Sequence, residues 1–130
     1  MNDTIADLLT RLRNAGMAQH ATLNMPSSKV NVALAGILKQ EGYIADFEVV
    51  EKDNNKADLS VSLKYHKGQP LMQGLKRVSK GSCRIYVKCD EIPRVRGGLG
   101  IAILSTSKGM MTGQKAKSEN LGGELVALVW

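Results

Sequence analysis

The apolar residues of this chain recur mainly at the helical period before about residue 44 and mainly at a β-type spacing after it. That change restricts it to a mixed fold in which helices come early and strands dominate afterwards. Ile5, Leu8, Leu9, Leu12 and Ala15 recur at the helical period behind Asp3 or Thr4 as a capping residue, with Asp7 in the first turn and Gly16 as the expected stop. A short extended piece, 22–25, leads through Pro26 to a second helix capped by Ser27 or Ser28. Val30, Ala33, Leu34, Ile37 and Leu38 share one face of it, and Gly42 stops it. From residue 44 to 51 the pattern is β-like, the turn Lys52-Asp53-Asn54-Asn55-Lys56 is polar, and Leu59, Val61, Leu63 and Tyr65 alternate with polar residues. This predicts an antiparallel hairpin with one buried face.

In the second half, 71–78, 84–88, 101–105 and 124–130 are the strand candidates. A short helix is expected from 112 to about 118, where Ala116 and the lysines suit a surface turn. The fold class is therefore α+β in two small subdomains: an N-terminal helix-strand-helix-strand-strand unit over 1–66, and a C-terminal, mostly antiparallel β unit with a short helix over 67–130. The loop His66-Lys67-Gly68-Gln69-Pro70 divides them. Domains of about 60 residues bury only about 60% of their unfolded surface, so contact between the halves is expected to contribute to stability.

Charge separates the halves as well. Residues 1–65 hold 7 Lys and Arg against 8 Asp and Glu, whereas 66–130 hold 11 against 4, so the whole net charge of +6 comes from the second half. An acidic partner is implied, although moderate basicity alone is a weak sign of nucleic acid. One Phe, three Tyr and one Trp are too few for the aromatic platforms that stack single-stranded bases, so structured RNA fits better than a flexible strand. No stretch reaches the roughly 20 apolar residues of a membrane span, and Asp3, Asp7, Arg11 and Arg13 stand where a signal peptide would be apolar; a cytoplasmic protein is expected. Cys83 and Cys89 match neither a redox C-x-x-C nor half a usual zinc site, with His20 and His66 far off, so they read as reduced thiols and no metal or cofactor is expected.

Chemistry concentrates in Ser105-Thr106-Ser107-Lys108-Gly109-Met110-Met111-Thr112 and the later Gly122-Gly123-Glu124. Hydroxyls on short stems donate and accept, and so can read phosphate oxygens, 2′-hydroxyls and base edges; glycines let a backbone approach a bulky partner. The same hydroxyls are common in turns, where they bond to their own backbone, and both readings stay open on the residues alone. Continued strand geometry would place Ser105 and Ser107 on one face and Thr106 on the other. Lys29 stands at a helix N-terminus, where a cation is disfavoured; a phosphate held by the first-turn N–H groups at Ser28, or a simple serine cap with a solvated lysine, would each explain it. Tyr86, between Arg84 and Lys88, either stacks on a base or packs in the sheet, and Trp130 reads as a structural anchor. Gly98-Leu99-Gly100 lacks the third glycine and the following helix of a dinucleotide fingerprint. Ser105-Thr106-Ser107-Lys108 fits S-x-x-K but lacks the partner motifs of that hydrolase class.

The segment Ile101-Ala102-Ile103-Leu104-Ser105-Thr106-Ser107-Lys108-Gly109 with Gly122-Gly123-Glu124 resembles the C-terminal signature of the small-subunit ribosomal protein eight family, bacterial form. Ile5 to Asn14, Met25-Pro26-Ser27-Ser28-Lys29 and Arg84-Ile85-Tyr86 extend the resemblance over nearly the whole chain. Gly113 departs from an acid usual at a helix start, and Lys80-Gly81-Ser82 from an Arg-Pro-Gly type of turn. The resemblance implies a non-catalytic, primary RNA-binding protein that grips an irregular helix in the central domain of small-subunit ribosomal RNA and assists its assembly, among neighbouring small-subunit ribosomal proteins. It implies further that messenger RNA of its own operon, mimicking that site, could be bound and repressed. Ser105, Thr106, Ser107 and Lys108 would form the main contact loop, Gly122 and Gly123 would permit close approach, and Glu124 would orient the loop or accept from RNA. Tyr86, Lys29 and Ser28 would be secondary contacts. The competing classes are a module whose basic half meets an acidic protein surface, and a serine hydrolase at Ser105.

Overall fold

The structure, a computed structural model, describes residues 4–130, and the chain divides into two compact units between Met72 and Gln73. The first contains α1 (Thr4–Met17), β1 (Thr22–Pro26), α2 (Lys29–Gln40), β2 (Ile44–Glu51) and β3 (Ala57–Leu63), in the order that the change of period predicts. Strand β3 lies between β1 and β2 and is antiparallel to both; Leu59 faces Met25 and Val49, and Val61 faces Leu23 and Phe47. Paired residues share a face, so this register lines up an apolar row on one side of the sheet. Leu8, Leu9, Leu34, Leu38, Leu59 and Val61 are fully buried, each contributing about 1.5–3 kcal/mol relative to exposure.

Three details of this unit differ from the sequence reading. Helix α1 continues through Gly16, which is buried because a Cβ there would come within 3.1 Å of Pro70 Cβ. The stop is Gln19 at φ 61, with the N–H groups of Gln19 and His20 donating to the carbonyls of Gly16 and Ala15. Thr4 is the first residue of α1, and Asp3, the other capping candidate, lies outside the described residues. Helix α2 does begin at Ser28, whose Oγ accepts from Asn31 N at 3.1 Å, and Gly42 follows its end at φ 85. Its buried face is Asn31, Leu34, Ala35, Ile37 and Leu38, with Ala33 exposed. A polar residue occupies the core side because Asn31 Nδ2 donates to Pro26 O at 3.1 Å, tying the end of β1 to the helix start.

The third difference is the dividing loop. Tyr65 does not continue β3; it opens β4 (Tyr65–His66), which pairs with β5 (Gln69–Pro70), and its hydroxyl donates to His20 O at 2.6 Å. Lys67 at φ 53 and Gly68 at φ 78 make the two-residue turn that suits the twist of a hairpin. Gln19 Nε2 donates to Gly68 O at 2.8 Å and Met72 is buried, so the segment expected to divide the halves is a hairpin of the first unit.

In the second unit β10 (Gly123–Val129) is central. Strand β8 (Ile101–Thr106) flanks it on one side, with β9 (Gly109–Thr112) beyond; β6 (Leu75–Arg77) and β7 (Tyr86–Val87) share the other side, and every pairing is antiparallel. The expected strands at 71–78 and 84–88 are therefore cut down to three and two residues. Gly74 is covered by the indole of Trp130, which leaves no room for a Cβ, and the two residues exchange backbone bonds of 2.9 and 3.0 Å, so Trp130 does anchor the strand end. Ser79 is fully buried and its hydroxyl both accepts from Ile85 N at 2.8 Å and donates to Ile85 O at 3.2 Å, taking the place of a strand partner. Helix α3 (Gly113–Ser118) is capped by Thr112 Oγ1, which accepts from Lys115 N at 3.2 Å. Its Ala116 is no surface residue: it is fully buried with Val95, Ala102, Leu104, Met111 and Leu125. Gly113 belongs to the same packing, since a Cβ would sit 2.7 Å from Ile92 Cγ2.

Candidate nucleic-acid interface

The register of the second sheet brings four sequence positions into one row. Tyr86 on β7 faces Glu124 on β10, Glu124 faces Ser105 on β8, and Ser105 faces Met110 on β9. Directly opposed residues point to the same side, so this row lies on the face opposite to Leu125, Leu104 and Met111, which turn into the core. With strands about 4.8 Å apart, three spacings give a strip about 14 Å long. Tyr86, paired within the sheet through its backbone, is 69% exposed at one end of the strip.

Glu124 is partly enclosed, and its carboxylate holds Arg84: Nη1 lies 2.9 Å from Oε2 and 3.3 Å from Oε1. The acid therefore orients an arginine rather than the hydroxyl loop, and its charge is offset within the protein. A guanidinium is a planar fork of five N–H donors, and the carboxylate fixes the plane of this one. Sequence reasoning noted Arg84 only as part of a basic strand. The signal available was its alternation with Tyr86, two residues along the chain.

Beyond Ser105 the strand does not continue as expected. It ends at Thr106, and Ser107 and Lys108 form a two-residue turn into β9, closed by Gly109 at φ 107. Strand β9 was missed, although a Ser-Lys-Gly turn between two β-type runs signals a hairpin. Thr106 Oγ1 donates to Gly109 O at 2.8 Å and accepts from Lys108 N at 3.2 Å, so for this residue the turn reading of the hydroxyl is the one observed. Ser107 and Lys108 are exposed at the tip and Ser105 is half-buried behind them.

The two glycines serve close approach inside the fold. A Cβ on Gly123 would lie 2.3 Å from Ser105 O, and one on Gly122 would lie 2.6 Å from Val87 O, so both let neighbouring strands close on β10. Strand packing therefore uses both glycines within the fold, a role separate from the close contact with a bulky partner that the sequence reading gave them. Ser28 and Lys29 belong to the first unit. Ser28 is occupied as the cap of α2, and Lys29 is exposed on the rim of an open groove of about 980 Å³ shared with Val32, Val49, Lys52 and Lys56. Ser105 sits within a strand rather than at a helix start, which removes the geometry that an S-x-x-K nucleophile needs. No helix among the described residues is long and apolar enough to cross a membrane.

The family model of ribosomal protein S8 matches residues 3–130. The small ribosomal subunit protein uS8 of Dechloromonas aromatica is 53% identical over 129 residues, covering 99% of this chain and 98% of the relative. The protein of the same name from Oleidesulfovibrio alaskensis is 51% identical over 130 residues, covering 100% and 99%, and that of Burkholderia mallei is 52% identical over 129 residues, covering 99% and 98%. Matched along its length by this model and these relatives, the chain belongs to the ribosomal protein S8 family of the small ribosomal subunit, a structural and non-enzymatic family.

Proposed function

We propose that the chain is a structural constituent of the small ribosomal subunit that binds the subunit's RNA directly, at an irregular helix of the central domain, and helps that domain assemble in the cytoplasm. The observation that supports this most is the strip Tyr86–Glu124–Ser105, exposed at its Tyr86 end, with Arg84 oriented by Glu124 and the Ser107–Lys108 turn beside it. It offers a stacking face, an aligned guanidinium, directional hydroxyls and a cation, which together suit a helix whose irregularity exposes bases and sugar hydroxyls between phosphates. Neighbouring small-subunit proteins would complete its surroundings. A messenger segment of the same shape, from its own operon, would compete for the same strip and so be repressed. Lys29 and Ser28 would supply a lesser contact at the groove of the first unit.

Chemical footprinting of the full chain on small-subunit RNA tests the reading. One irregular helix in the central domain should be protected, and association with ribosomal particles should be abolished by ribonuclease. Absence of protection, together with ribonuclease-resistant association, would replace RNA with an acidic protein partner.

A further inference from the structure

We propose that the loop 94–98 is a second phosphate-binding point for the same RNA, separate from the strip; the inference rests on the RNA-binding reading above. The backbone of this loop is unusual. Arg96, Gly97 and Gly98 take φ of 50, 65 and 97 in succession. Arg96 adopts a left-handed conformation whose steric penalty a glycine would avoid. The conformation is held from both sides: Val95 is buried, Gly100 N donates to Val95 O at 3.1 Å and Leu99 N to Arg96 O at 3.2 Å. Gly100 itself has no room for a Cβ, which would lie 2.6 Å from Val129 O.

This frame fixes two cations. The Arg96 guanidinium carbon stands 4.7 Å from the centroid of the Trp130 ring. The Arg94 guanidinium lies back along the loop, its Nε and Nη2 3.4 Å from where a Cβ on Gly98 would be. Both side chains are exposed, and among the described residues neither pairs with a carboxylate. Packing on Trp130 needs no charge, and a turn needs no arginine in the left-handed region. Two positive charges pre-positioned on one short loop without a counter-ion fit an anionic ligand, and planar forks fit phosphate oxygens. The loop enters β8 at Ile101, whereas the Ser107–Lys108 turn leaves it at Thr106, five residue steps or about 17 Å away. The two points mark opposite ends of one strand, a separation that an extended polyanion spans.

The test measures affinity of the full chain for the small-subunit RNA transcript across a salt series. In Arg94→Gln with Arg96→Gln, affinity should fall about 10-fold or more and the log–log salt slope by about 0.7–0.9 for each lost phosphate contact, a scale set on DNA. Arg94→Lys with Arg96→Lys should keep most of the slope, and circular dichroism and thermal midpoint check the fold in both pairs. Because the two ends of β8 are far apart, the loss should add to that of Ser107→Ala. Unchanged affinity and slope in the Gln pair, while Ser107→Ala still weakens binding, would overturn this inference and leave the strip standing. If the unmodified chain does not bind the transcript, the reading beneath both falls.

Discussion

At the scale of single residues, neighbouring hydroxyls have different jobs. Thr106 bonds to Lys108 N and Gly109 O and so shapes the turn, whereas Ser107 is exposed at the tip. Thr106→Ala should therefore lower the unfolding free energy by about 0.5–1.5 kcal/mol in a denaturant titration. Ser107→Ala should leave stability unchanged and weaken cognate RNA by about 1–3 kcal/mol relative to random RNA of equal length; equal losses on both RNAs would rule out local readout. Glu124→Gln keeps an acceptor but removes the charge that aligns Arg84. If the acid merely repelled phosphates the change would tighten binding, but an orienting role predicts weaker binding with the circular dichroism spectrum intact. A double-mutant cycle with Arg84→Gln should show coupling of about 0.5–1 kcal/mol, a range that allows for the exposure of Arg84.

At the scale of elements, β10 organises the second unit because it lacks side-chain bulk where its neighbours come closest. Gly123→Ala would place a methyl group 2.3 Å from Ser105 O, a backbone atom that cannot rotate away. Strand separation there should cost about 1–3 kcal/mol, read as a lower denaturation midpoint, and RNA affinity should fall with it because Ser105 and Glu124 are displaced together. A fully stable, fully binding Gly123→Ala protein would show that the row tolerates another geometry. In the first unit Ser28 has a different role, as the cap of α2. Ser28→Ala should cost about 1 kcal/mol of stability, and any RNA effect no larger than that would identify the residue as a helix cap alone.

For the whole molecule, charge is the governing quantity. The excess lies in residues 66–130, with 11 Lys and Arg against 4 Asp and Glu. It includes exposed Lys108 at the hairpin tip and exposed Lys115 and Lys117 on α3. Affinity for the cognate RNA should fall with salt, and replacing these three lysines by Gln should reduce the slope by about 0.7–0.9 for each one that touches a phosphate. An unreduced slope would assign the electrostatic contact to other cations, Arg84, Arg94 and Arg96 foremost.

Local patterning was enough to read the element order of the first unit, because helical and alternating periods are properties of short stretches. Ser28 and Gly42 as helix limits were legible for the same reason: a cap and a left-handed stop act within one turn. The hydroxyl segment could be singled out too, since its chemistry is carried by residue types. What could not be read depends on partners distant in sequence. Gly16 resembled a helix stop until Pro70 lay against it, and Ala116 a surface residue until α3 closed over β8 and β9. Ser79 substitutes for a strand partner at Ile85, which no propensity encodes. The strip itself was decided by register: only when β7, β8 and β9 are arranged about β10 do Tyr86, Glu124, Ser105 and Met110 share a face, and only then does Glu124 meet Arg84, 40 residues away in the chain. Period fixes which way a side chain points from its own strand, but the neighbour it meets follows from pairing across the sheet, which long-range packing alone selects.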